Sequence, residues 1–168
     1  MDNQFMLLPG IFLKQQTAAA IRECNDYTTR YRLQLSEQEI LQLVENRKEV
    51  LELTGRVEFG GGVIQKIIME FADSVYINQQ DYVDTLIELQ ECFYHFKNES
   101  LEELTDDELI KLMKMYFDDV CQGSVEFLQT SMLENYCRDV RYRTTNYRTM
   151  DGYEDNYVDF LDWDGKED

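Results

Sequence analysis

The chain has 168 residues, with 34 Asp plus Glu against 16 Lys plus Arg and a formal charge of −18. That length suits one domain with a core of its own, and an apolar share of 43% excludes wholesale disorder. The acidity argues against direct nucleic-acid binding or docking on anionic lipid, since the repulsion acts over a Debye length of roughly 8 Å, and it makes basic proteins and cations the expected partners.

Met1 to Gly10 carries Asp2 and no basic residue, and its apolar stretch from Phe5 to Leu8 stops at Pro9. Neither a signal peptide nor a membrane anchor is expected there, and no later run approaches the roughly 20 apolar residues of a bilayer span. The cytoplasm is the expected location. Cys24, Cys92, Cys121 and Cys137 lie far apart without a C-x-x-C, and they read as reduced thiols buried like small hydrophobes.

Apolar residues recur at intervals of three and four, which predicts helices throughout. The first spans Leu13 to about Tyr31, with Ala18, Ile21 and Cys24 on one face. Ser36 and Glu39 form a capping box ahead of a second, whose face is Ile40, Leu43, Val44, Val50 and Leu51. A short apolar helix covers Val63 to Ala72. Asn78 can cap the strongest amphipathic segment, where Tyr82, Leu86, Leu89, Phe93 and Phe96 are flanked by Val83, Ile87 and Tyr94.

Thr105 and Glu108 start a fifth helix, with Leu109, Leu112, Met113, Tyr116, Phe117 and Val120 facing inward. A sixth runs from Ser124 to about Tyr142 through Val125, Leu128, Met132, Tyr136 and Val140. The expected class is therefore all-α: a single-domain bundle of about six helices over residues 1–142, followed by an acidic-aromatic tail over 143–168. Residues 151–168 carry a net charge of −7. Tyr153, Tyr157, Phe160 and Trp163 punctuate them at spacings of three or four, so the tail is either solvated or a helix-forming partner-binding element.

Four stretches carry a resemblance: Gly55-Arg56-Val57-Glu58-Phe59-Gly60-Gly61-Gly62, Leu89-Gln90-Glu91 through Phe96-Lys97-Asn98-Glu99, Asp106-Asp107-Glu108-Leu109-Ile110, and Cys121-Gln122-Gly123-Ser124. Together they resemble a domain-of-unknown-function family of small acidic helical proteins from Clostridia-like Gram-positive bacteria, over roughly Phe5 to Val140. The resemblance implies a bacterial cytoplasmic helical domain and brings no activity, substrate or catalytic residue with it.

The glycine-rich turn admits two readings. Arg56, Gly60, Gly61, Gly62 and Lys66 can make an anion site at a helix N-terminus, although the spacing is not that of a Walker loop. Alternatively Gly55 ends the preceding helix in a left-handed cap, and the later glycines let two helices approach closely. Asp81, Asp84, Glu88, Glu91 and His95 form a polar stripe; one His, spaced four from Glu91, matches neither a di-iron nor a usual zinc pattern, and a solvated face is expected.

The same His95 would have to serve Cys24, Cys121 or Cys137 in any Cys-His enzyme, and nothing local brings them together. With Gly165 as its sixth position, an EF-hand loop through Asp162-Trp163-Asp164-Gly165 would begin at Phe160 and run past Asp168, so none is expected. Arg138, Arg141, Arg143 and Arg148 form a basic patch that either complements a helix C-terminus or receives the acidic tail.

No catalytic constellation, metal set or cofactor motif emerges. The expected function is a non-enzymatic cytoplasmic protein-protein interaction or regulatory module, with a protein partner of basic character. Two alternatives stand beside it: an acidic nucleic-acid mimic that binds a basic protein, and a small-ligand binder or enzyme using the Gly55 to Gly62 turn.

Overall fold

The structure is a computed structural model that describes residues 2–100 and 103–149, with side chains placed within residues 10–143. Six helices account for it, and there is no strand among the described residues. Helix α1 spans Asp2–Thr28 and so begins well ahead of the expected Leu13. Its buried Ala18, Ile21 and Cys24 keep the predicted face. A single 3-10 turn, Thr29–Tyr31, ends it, and Arg32 takes a left-handed φ of 62° to redirect the chain.

The extended link that follows has no strand partner, so side-chain amides satisfy its backbone. Asn25 donates to the Leu35 carbonyl at 3.0 Å and accepts from the Leu35 N-H at 2.8 Å. Gln79 does the same for Gln34, at 2.8 Å in both directions. The Leu35 groups are partly buried, where unpaired backbone would be costly; the Gln34 groups are exposed, and there the second amide serves to tie the link to the chain ahead of α4.

Helix α2, Glu37–Thr54, starts at the expected capping box: the Glu39 N-H donates to Ser36 Oγ, and the Ser36 N-H donates to Glu39 Oε1 at 2.9 Å. It ends at Gly55, whose φ of 69° is the left-handed cap anticipated from sequence. Helix α3, Gly62–Phe71, buries Val63, Ile64, Ile67, Ile68 and Phe71. Helix α4, Tyr82–Glu99, is central and packs against α2, α3, α5 and the last helix. Asn78 acts one turn ahead of it, accepting from the Asp81 N-H at 3.0 Å.

Helix α5, Asp106–Asp119, begins at the Thr105 cap, and Leu109, Ile110, Met113 and Phe117 are buried. Val120 departs from expectation. It is 47% exposed because the helix has ended and the chain turns at Gln122 and Gly123, both at positive φ. Helix α6 opens as one α turn, Val125–Phe127, widens to π over Leu128–Leu133, and resumes as α over Glu134–Thr149. It thus continues past the expected end near Tyr142.

The buried apolar residues form one cluster reaching from Ala18 to Cys137. Phe71 meets Phe117 edge-on at 5.3 Å, locking α3 to α5. All four cysteines are free and buried, as expected. No helix of the described residues is long and apolar enough to cross a membrane.

Candidate functional site

The end of the bundle where α2 finishes holds its most elaborate polar arrangement, and it begins with a charge on a core face. Arg47 occupies the α2 stripe between Val44 and Val50 and is only 4% exposed. Its Nη1 donates to Thr17 Oγ1 of α1 at 2.5 Å and to the Gly60 carbonyl at 2.7 Å. Thr17 also donates to the Gly60 carbonyl, so the turn between α2 and α3 is pinned to both preceding helices. Arg47 Nη2 stands 3.7 Å from Glu58 Oε1, and neither Nε nor Nη2 has a hydrogen-bond acceptor.

Glu58 is the anion at the centre. Its Oε2 accepts from Tyr94 Oη of α4 at 2.5 Å, and its Oε1 accepts from the Val63 N-H in the first turn of α3 at 3.1 Å. The helix dipole and an orphan N-H therefore hold this carboxylate. Burial pushes the Tyr94 phenol well above its usual range, and the bond to Glu58 pushes it further. Arg56 closes the arrangement at 3.7 Å from Glu58 and 3.5 Å from Asp106, with its guanidinium 5.6 Å from the Tyr94 ring. Asp106 also pairs with Lys97 of α4 at 3.2 Å. One chain of charges thus links α2, the turn, α4 and α5.

Gly62 explains why the turn needs glycine. At φ 56° it is left-handed, and a Cβ there would lie 2.3 Å from Glu58 Oε1 and 2.8 Å from Arg47 Nη2. The meeting of Arg47 and Glu58 occupies the space a side chain would fill.

These contacts place the predicted anion-site residues. Arg56, Gly60, Gly61 and Gly62 do gather here, but the first-turn N-H of Val63 is already taken by Glu58. Lys66 lies apart, paired with Asp107 at 2.9 Å, which raises the Lys66 pKa and lowers that of Asp107 through their hydrogen bond. Arg47, Thr17 and Tyr94 were not anticipated. The readable signal was Arg47 itself, a cation three or four residues from Leu43, Val44, Val50 and Leu51 on an otherwise apolar stripe.

Between α1 and the end of α2 opens a cleft of about 510 Å³, with Leu13, Val44, Leu51 and Val57 among its apolar walls, Lys14, Arg47, Lys48 and Arg56 as its cations, and Glu52 and Glu58 as its carboxylates. Beside it the segment from Arg56 to Phe59 inverts the usual alternation. Arg56 and Glu58 turn inward, while Val57 is 78% and Phe59 72% exposed, and Leu53 at the end of α2 is 86% exposed. Glu49 and Glu52, also exposed, border Leu53 on the same helix.

The other predicted sites are dispersed. Asp81, Asp84, Glu88, Glu91 and His95 are all exposed, as expected of a solvated stripe. Among the described residues no three His, Cys, Asp or Glu side chains are grouped to hold a metal. Cys137 lines a shallow groove with His95, but its thiol donates to the Phe96 carbonyl at 3.8 Å and burial pushes its pKa up to about 11. A thiol held protonated in this way is a poor nucleophile.

Within the basic patch, Arg138 pairs with Glu134 at 3.2 Å, Arg141 with Glu99, and Arg143 donates to the Asp139 carbonyl at 3.4 Å. Tyr153, Tyr157, Phe160, Trp163 and the side chain of Arg148 lie outside the described residues.

Residues 20–146 match the model of a family of unknown function, DUF6323. No curated protein and no solved structure matches the chain.

Proposed function

For a chain that belongs to the family of unknown function DUF6323, we propose a cytoplasmic, non-enzymatic binding module that recognises a protein partner through the ridge formed by Leu53, Val57 and Phe59. The observation that supports this reading is the inverted alternation at residues 56–59. Large apolar side chains are exposed elsewhere too, Phe12, Leu41 and Val75 among them; at residues 56–59 their exposure is paired with two charges that take the interior. The segment is also fixed, because Gly60 is held by Arg47 and Thr17 and Glu58 by Tyr94 and Val63.

A rigid apolar ridge presents its contact area with little ordering cost on binding, and each side chain yields about 1.5–3 kcal/mol when fully buried. The bordering Glu49 and Glu52 and the net charge of −18 favour a basic partner.

The test places a photoreactive phenylalanine at position 59 of the full chain, in the cells that produce it, with the same group at exposed Lys111 as the control. One discrete adduct with another protein at position 59, lost in Leu53→Asp and missing at position 111, is the expected result. The same products at both positions, none at either, or an adduct with a second copy of the chain would each overturn the reading.

A further inference from the structure

We propose that the cleft between α1 and α2 binds a small monocarboxylate with an apolar body, its carboxylate seated on Arg47 and its chain on Leu13, Val44, Leu51 and Val57. The inference shares Val57 with the partner-binding ridge but rests on a different observation, and Arg47→Lys tests it without touching the ridge. It starts from the state of Arg47, whose side chain is 5% exposed and which lines the cleft. Of its three nitrogens only Nη1 has acceptors; Nε and Nη2 are buried without one, and Glu58 stands at ion-pair rather than hydrogen-bond distance.

A guanidinium offers a planar fork that matches a carboxylate, and a buried donor without an acceptor gains more from acquiring one than an exposed donor does. The chemistry of the walls then selects the ligand. Both nitrogens are shielded from solvent, so an incoming acceptor reaches them only as the side chains covering them shift, and it must shed its water and bring apolar cover with it. Phosphate and sulfate are heavily hydrated and have no such cover. An alkyl carboxylate has one charge for Arg47 and a chain for the four apolar walls.

The volume of about 510 Å³ lies within the range of roughly 300–1,000 Å³ usual for small-molecule sites. Four cations, Lys14, Arg47, Lys48 and Arg56, line the cleft against two carboxylates, Glu52 and Glu58, so the site is locally positive in a molecule whose overall charge would repel an anion.

The experiment is calorimetric titration of the full chain at neutral pH with octanoate, 1-octanol and inorganic phosphate as separate probes. Octanoate is expected to bind saturably with one site per chain, and octanol and phosphate at least tenfold more weakly. Arg47→Lys, which keeps the charge but loses the fork, is expected to weaken octanoate at least tenfold. Should that variant not fold, Val57→Asp and Lys48→Glu carry the test; both alter exposed rim residues, and each is expected to weaken octanoate severalfold with an unchanged melting temperature. No saturable octanoate binding, octanol binding as tightly as octanoate, or undiminished binding by both rim variants would overturn the proposal.

Discussion

The hydroxyl of Tyr94 donates to Glu58 Oε2 at 2.5 Å across 36 residues of sequence, and through it the central helix fixes the turn between α2 and α3. The bond is charge-assisted and partly buried, so its loss leaves a carboxylate short of a donor. Tyr94→Phe keeps the ring beneath Arg56 and removes the donor alone. The expected outcome is a loss of about 1.5–3 kcal/mol in urea unfolding, with an unchanged slope.

Arg47 is the second test of the same network. Removing one partner of a buried ion pair is costly because the other charge is left behind, typically about 3–5 kcal/mol. Arg47→Met is expected in that range. Arg47→Met combined with Glu58→Gln is expected to cost less than the two single changes together, because the double variant leaves no uncompensated carboxylate. Strict additivity in the double-mutant cycle would mean that the 3.7 Å separation carries no coupling.

How much of this was legible follows from how local each determinant is. The Ser36 and Thr105 caps and the left-handed Gly55 were readable because each rests on residues within one turn. Most core faces were readable from spacing, and the exposed stripe from Asp81 to His95 by the same rule; on α6 the expected Met132, Tyr136 and Val140 are only partly buried, because the π widening hands the core positions to Leu133 and Cys137. Val120 fitted the spacing but fell beyond the end of its helix, and the π widening at Leu128–Leu133 has no signature in the apolar pattern. The Arg47 network was not readable, because Thr17, Glu58 and Tyr94 reach it from separate elements. Glycine marked the place, but its reason, room for a guanidinium and a carboxylate, exists only once the helices are assembled.

Burial of the thiols makes stability fall in alkali. Cys92 is pushed up to about 12 by burial and by its neighbour Cys137, and Cys24 and Cys137 to about 11, chiefly by burial. Unfolded thiols titrate near 8.5. Below that pH both states hold their protons and no stability is lost. Above it the unfolded chain releases protons that the folded chain keeps, and each such thiol costs up to about 1.4 kcal/mol per pH unit. Urea midpoints are therefore expected to be level up to about pH 8 and then to fall steeply towards pH 10.5. Cys92→Ala is expected to make that fall shallower, and an unchanged slope would show that the Cys92 thiol titrates alike in both states.

Two left-handed glycines separate backbone strain from crowding. Gly55 has a φ of 69° and open space where a Cβ would go, whereas Gly62 at 56° would place its Cβ 2.3 Å from Glu58 Oε1 and 2.8 Å from Arg47 Nη2. Gly55→Ala meets only the left-handed penalty, about 1–2 kcal/mol. Gly62→Ala meets that penalty and must also push apart an ion pair whose members are held on their far sides by Tyr94, Val63, Thr17 and the Gly60 carbonyl. It is expected to cost at least about 2 kcal/mol more than Gly55→Ala in chemical denaturation. The excess should shrink in an Arg47→Met background, where the more flexible, uncharged side chain can move aside. Equal costs for the two glycines would mean that the turn shifts freely, and that Gly62 serves the backbone rather than the meeting of Arg47 with Glu58.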